Sequence, residues 1–243
     1  MKPINILIPM AGLGSRFRIA GYTDPKPFIN IKGKTMIERV LDNLCVPNAH
    51  YILIAREEDI TKRTELVKSI EQKYNARFIA INQLTEGTAC TVLFARKLIN
   101  NDYPLLIANS DQIVDFDINS FIADADSRRL DGSILTFIDE EKNPKWSFAK
   151  VDENELVVEV QEKKPISEFA TVGIYFFKKG KTFVDAAIDM IIQNDRTNNE
   201  FYTCPTYNYA IKNGCKVGVF NILQNKMHGI GTPEDLEKYL PLI

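Results

Sequence analysis

Apolar positions in the first half of the chain alternate between two rhythms. Ile4 to Ile8 is an unbroken apolar run, as a buried parallel strand requires, and Thr35 to Leu44 then places Met36, Ile37, Val40, Leu41 and Leu44 at helical spacing. Tyr51 to Ala55 is apolar again, which completes a predicted βαβ unit. Asp59 to Tyr74 reads as an amphipathic helix, Arg77 to Ile81 as a strand, Thr88 to Ile99 as a helix and Tyr103 to Ala108 as a strand. Strands joined through helices imply a parallel sheet.

The second half changes character. Ser133 to Ile138, Ser147 to Val151, Leu156 to Gln161 and Thr171 to Phe177 are strand-like runs with short polar connections, which predicts antiparallel pairing. Helical patterns return at Lys181 to Gln193, Tyr202 to Lys212 and Pro233 to Tyr239, with Val217 to Ile222 as a late strand. No internal repeat or low-complexity linker interrupts them. The expected fold class is α/β, a Rossmann-like, mixed but mostly parallel sheet flanked by helices, in one domain over residues 1–243.

Composition narrows the partners. With 243 residues, 45% hydrophobic and 26% charged, the chain can bury a substantial core. A formal net charge of -2 leaves no general cationic face for nucleic acid or a membrane surface, so positive charge acts locally, on a small anionic partner. The four cysteines (Cys45, Cys90, Cys204, Cys215) lack CxxC pairing and there are only two histidines, which argues for reduced thiols rather than a zinc centre. No stretch approaches the ~20 apolar residues of a membrane span, and the expected location is cytoplasmic. Homo-oligomer formation is left open by the pattern.

The candidate chemistry gathers after the first strand, at Met10-Ala11-Gly12-Leu13-Gly14-Ser15-Arg16 and Asp24-Pro25-Lys26-Pro27. A small-residue turn lets backbone N–H groups approach an anion, and Arg16 and Lys26 supply fixed positive charge. Glycines also leave strands for purely steric reasons, and this is neither a Rossmann fingerprint, whose third glycine would fall on Phe17, nor a Walker loop. Asp111, just past an apolar strand, stands where open α/β sheets bind ligands and where a hard oxygen suits Mg2+; a turn or capping aspartate is the other reading. Asp115-Phe116-Asp117 imitates the Asp-x-Asp motif of nucleotide-sugar glycosyltransferases, but reads better as a loop and N-cap before Ile118.

In sequence order, Gly12-x-Gly14-x-Arg16, Lys26-Pro27, Gln83 with Gly87-Thr88-Ala89, Asp111, Glu162-Lys163-Lys164-Pro165, Val172-Gly173-Ile174-Tyr175 and Gly231-Thr232 resemble the sugar-phosphate nucleotidylyltransferases. The resemblance covers nearly the whole chain and implies an enzyme that joins an NTP to a phosphorylated small-molecule acceptor and releases pyrophosphate. It implies that Met10 to Arg16, Lys26, Gln83, Gly87, Thr88 and Ser110 bind the nucleotide, mainly in residues 1–120. Arg16, Lys26 and Asp111 would be catalytic, with Asp111 holding Mg2+. Glu162, Lys163, Lys164, Gly173 and Glu200 would hold the acceptor, mainly in residues 121–243.

The opening Ile8 to Gly12 and the ending Met227 to Leu236 are similar to a branch associated with capsule and surface-polysaccharide synthesis. That similarity favours CTP as donor and phosphoglutamine as a possible acceptor; a sugar 1-phosphate is the family default. A glycosyltransferase and a non-catalytic nucleotide-binding regulator are the alternatives from other classes. One departure stands out: many family members carry an aspartate, the second Mg2+ ligand, where this chain has Gly229.

Overall fold

The computed structural model describes residues 3–243. Its strands are β1 (Ile4–Pro9), β2 (Asn30–Ile31), β3 (Lys34–Thr35), β4 (Ala49–Arg56), β5 (Ala76–Ile81), β6 (Leu105–Ala108), β7 (Gln112–Val114), β8 (Gly132–Ile138), β9 (Phe148–Val151), β10 (Val157–Gln161), β11 (Phe169–Phe177), β12 (Val217–Ile222) and β13 (Met227–Gly229). The helices are α1 (Ser15–Ile19), α2 (Met36–Asn43), α3 (Glu57–Lys62), α4 (Thr64–Tyr74), α5 (Thr88–Leu93), α6 (Arg96–Ile99), α7 (Ile118–Ser127), α8 (Gly180–Ile192), α9 (Thr206–Lys212) and α10 (Pro233–Tyr239).

Nine strands form one mixed sheet. Its front, β6-β1-β4-β5, is parallel throughout, because each connection between these strands runs through helices. β11 adds antiparallel to β6 and carries β8 and β9 by antiparallel pairing, while β12 returns parallel to β8. The expected mixed α/β architecture, with antiparallel strands in the second half, is therefore the observed one.

Alternation along the parallel strands feeds two apolar layers. Ile4, Ile6 and Ile8 pack with Tyr51, Leu53, Leu106 and Ala108 on one face of the sheet, whereas Leu7, Ile52, Ile54, Leu105 and Ile107 pack on the other. Helix ends are fixed locally. Thr35 and Glu38 form a capping box on α2, Asp117 caps α7, and Thr232 caps α10 with Pro233 at its first position.

Three predicted helices differ. The helix expected over Asp59 to Tyr74 begins at Glu57 and breaks at Arg63 (φ -130°, ψ 36°), where the side chain turns to Asp24 Oδ1 at 2.7 Å. Thr88 to Ile99 splits at Ala95 into α5 and α6. Tyr202 to Lys212 is helical only from Thr206, because Pro205 disfavours a helical Cys204 and residues 201–203 are tied to a neighbouring loop. The short pair β7–β13 was missing from the predicted elements; it joins Gln112 to Gly229 and Val114 to Met227.

No helix among the described residues is long and apolar enough to cross a membrane. All four cysteines are free.

Candidate active site

β1 ends at Pro9, and the chain passes through buried Met10 and Ala11 into the exposed turn Gly12-Leu13. Met10 N–H donates to Ile54 O at 2.8 Å, which anchors the turn to β4. Gly14 (φ 60°) starts α1, with Ser15 and Arg16 exposed beside it. A Cβ on Gly14 would lie 3.0 Å from Lys26 Cβ, so the turn and the Lys26 backbone are in close approach.

Lys26 opens a short 3-10 turn between Pro25 and Pro27, whose fixed φ stiffens the backbone around the cation. Its Nζ pairs with Asp111 Oδ2, and both side chains are mostly enclosed. Asp111 follows β6 at the carboxyl end of the parallel strands, and its carbonyl accepts from Ile230 N–H at 2.9 Å. Gly231 lies against the pair: a Cβ there would fall 2.7 Å from Asp111 Oδ2 and 3.6 Å from Lys26 Nζ. Four separate stretches of sequence thus converge on one carboxylate and one ammonium.

Among the described residues no three His, Cys, Asp or Glu side chains cluster as a metal cage. The Cβ direction at Gly229 leads toward the Asp235 carboxyl, 3.7 Å away, and Asp235 is engaged by the Thr232 cap. Asp111 offers one hard oxygen of the kind Mg2+ takes; phosphate oxygens and water would have to supply the remaining ligands. The Asp115-x-Asp117 pair is occupied elsewhere. Asp117 accepts from Asn119 N–H and Ser120 Oγ at the start of α7, and Asp115 faces His228 Nε2 at 3.0 Å.

Behind β5, exposed Gln83 lines a cleft of about 330 Å3 with Arg56, Glu58 and Asn82. Gly87 (φ 121°) and Thr88 lie at the start of α5. The Thr88 hydroxyl is engaged by Thr203, accepting from its N–H at 3.0 Å. Ser110 is half-buried next to Asp111.

On the opposite side, Glu162 follows β10 and accepts from Ser147 Oγ. Burial pushes its carboxyl above the usual range and the Glu200 charge adds to this, while Ser147 and Lys163 oppose it. Buried Tyr175 and Cys204 feel the Glu162 charge; burial first, with that charge adding to it, raises both, so they stay protonated. Lys163 donates to Tyr202 OH at 2.7 Å and lies 4.6 Å from that ring's centre, whereas Lys164 is exposed. Burial, with Glu200 second, raises the Tyr202 phenol, which keeps its proton. Gly173 (φ 87°) sits in the irregularity between Thr171 and Tyr175 of β11, and its carbonyl accepts from Asn109 N–H, just past β6, at 3.0 Å.

Of the expected site residues, the structure brings Lys26 and Asp111 together beside Gly14, gathers Lys163 and Glu200 near Glu162, and leaves Gln83 in a separate cleft behind β5. Ser147, Tyr175, Tyr202 and Cys204 were not among the expected residues. Only Tyr202 had a local signal, as the neighbour of Glu200 in Glu200-Phe201-Tyr202.

Comparison with known proteins gives the family. The sequence profile of the family described as "Nucleotidyl transferase" matches residues 6–238. The chain is 27% identical over 181 residues to "Mannose-1-phosphate guanylyltransferase catalytic subunit beta" of Dictyostelium discoideum, covering 72% of this chain and 49% of that protein. It is 27% identical over 180 residues to "Bifunctional protein GlmU" of Methanococcus aeolicus, covering 72% and 40%. The chain thus spans half or less of these curated relatives. A solved nucleoside-diphosphate-sugar pyrophosphorylase from Vibrio cholerae RC9 superposes with a TM-score of 0.80 at 26% identity, covering 97% of this chain and 99% of that one. With a family match over residues 6–238, nearly its full length, the chain belongs to the nucleotidyl transferase family.

Proposed function

We propose that this protein transfers a nucleoside monophosphate from an NTP to the phosphate of a small phosphorylated acceptor. An acceptor phosphate oxygen attacks the α-phosphorus, the bond from that phosphorus to the β-phosphate bridging oxygen breaks, and pyrophosphate leaves with the electron pair. The observation that carries this reading is the Lys26–Asp111 pair, set between the glycine turn and Gly231 at the carboxyl ends of the parallel strands. Transfer of this kind needs positioning and charge stabilisation rather than an activated side-chain nucleophile.

In this reading Met10 to Arg16, Lys26, Gln83, Gly87, Thr88 and Ser110 surround the nucleotide. Arg16 and Lys26 offset charge on the α-phosphate and the departing pyrophosphate. Asp111 would hold Mg2+, which when bound would supply further charge neutralisation to the triphosphate. Glu162, Lys163, Lys164, Gly173 and Glu200 receive the acceptor. The site lies within one domain, working where NTPs are abundant, in the cytoplasm.

A sugar 1-phosphate is the leading acceptor, because the relatives carry names such as mannose-1-phosphate guanylyltransferase. A second reading, CTP with phosphoglutamine, is favoured by the capsule-branch likeness of Ile8 to Gly12 and Met227 to Leu236. The test is a matrix of the four NTPs and dTTP against sugar 1-phosphates and phosphoglutamine with Mg2+, scored by pyrophosphate release. Release that requires one NTP and one phosphorylated acceptor together is the expected result. Release with no acceptor dependence, or none with any pair, would overturn it.

A further inference from the structure

Two loops from opposite halves of the sequence lie stitched together at the rim of the site. Residues 86–89 lead from the Gln83 cleft into α5, and residues 199–203 lead from α8 toward α9. Three amides cross between them: Phe201 N–H donates to Glu86 O at 2.7 Å, Ala89 N–H to Phe201 O at 2.9 Å, and Thr203 N–H to Thr88 Oγ1 at 3.0 Å. Gly87 admits this contact, since a Cβ there would overlap the Phe201 backbone.

Arg196 closes the seam from outside. Its Nη2 donates to Glu86 Oε2 at 2.5 Å, its Nη1 to Asn199 O at 3.1 Å and its Nε to Asn194 Oδ1 at 2.6 Å. The guanidinium carbon also lies 4.1 Å from the centre of the Phe201 ring. Phe201 is buried, whereas its neighbours Glu200 and Tyr202 remain accessible, and Tyr202 holds Lys163. An ion pair as exposed as Arg196–Glu86 contributes little stability. What the guanidinium adds is geometry, because its planar fork and face engage both loops at once.

We propose that Arg196 is a positioning residue that latches the acceptor-side loop onto the nucleotide-side loop, so that Gly87-Thr88 and Glu200-Tyr202 are set as one unit. The naming of the two sides rests on the nucleotidyl-transfer reading above. A displacement of about 1 Å at either loop is enough to cost on the order of a hundredfold in rate, so the latch governs catalysis without touching substrate.

The test compares wild type, Arg196→Ala and Arg196→Lys by amide hydrogen exchange and by steady-state kinetics with the active substrate pair. In Arg196→Ala the amides of Ala89, Phe201 and Thr203 exchange faster together, by about tenfold, while those of β11 keep wild-type protection. The values of kcat/KM for the NTP and for the acceptor fall together, by about 10- to 100-fold. Arg196→Lys, which keeps the charge but not the fork, recovers only part of both effects. Wild-type exchange in Arg196→Ala, faster exchange that spares Ala89, or an unchanged kcat/KM would overturn the latch. Absence of pyrophosphate release from the wild type would instead refute nucleotidyl transfer, and the exchange data would still decide whether the loops open as one.

Discussion

Lys26 reaches Asp111 across 85 positions of sequence, from a turn held by two prolines to the loop after β6. Lys26→Ala is expected to lower pyrophosphate release by about 10²- to 10³-fold, the usual cost of deleting one fixed charge-stabilising donor. Asp111→Asn should act in the same direction and raise the Mg2+ concentration needed for half-maximal rate. A folded variant of either kind with near-normal turnover would remove that residue from the centre. Glu162 offers a different test. Burial raises its carboxyl, so the native state keeps its proton to higher pH than the unfolded chain does. Stability contributed by this group is therefore greatest below the ordinary glutamate range and falls as pH rises through the raised value. Glu162→Gln should flatten that decline in a series of thermal midpoints from about pH 4 to about pH 8, and a steeper decline would contradict it. Lys26, Asp111 and Glu162 were legible in the sequence because each sits in a local signature: a proline-bracketed lysine, a carboxylate after an apolar run, a charged turn after a strand. Ser147, Tyr175 and Cys204 have no such signature, and only the fold brings them near Glu162.

At the level of elements, the apolar rhythm located every strand of the main sheet and the ends of α4, α6, α9 and α10, but not the breaks inside helices. Arg63 breaks the run between α3 and α4 through a long-range contact with Asp24, and its guanidinium lies 5.7 Å from the centre of the Phe28 ring, beside the turn that carries Lys26. Such a break is set by tertiary contact, which helical periodicity does not encode. The late start of α9, by contrast, was readable from Pro205. Gly87 is an element-scale position that tolerates little. Its φ of 121° and its contact with Phe201 predict that Gly87→Ala destabilises the protein by about 2–4 kcal/mol in denaturant unfolding, from backbone strain and overpacking together. A loss under about 0.5 kcal/mol, the range of ordinary surface changes, would show that the seam yields without cost.

Across the whole molecule, two apolar layers on the main sheet pack the Lys26–Asp111 pair and the Glu162 group onto one framework. Binding an NTP only to the native state at a concentration 100-fold above its Kd adds about 2.7 kcal/mol. For a chain of this size that raises the thermal midpoint by about 5–10 °C. The expected outcome is such a shift with one NTP and Mg2+ in a calorimetric scan; no shift with any NTP would refute nucleotide binding. The mixed sheet was legible because parallel and antiparallel strands have different connection lengths, whereas the β7–β13 pair was not, since three-residue strands leave no periodicity. That small pair has a consequence for synthesis. Asp111 is held from the far side by Ile230 and Gly231, which the ribosome makes about 120 residues later. At about 5–20 residues per second the emerging front half waits roughly 6–24 s for its acidic centre to be fixed. A nascent chain can thus lay down its parallel strands early and still remain catalytically silent until the segment around Gly231 docks.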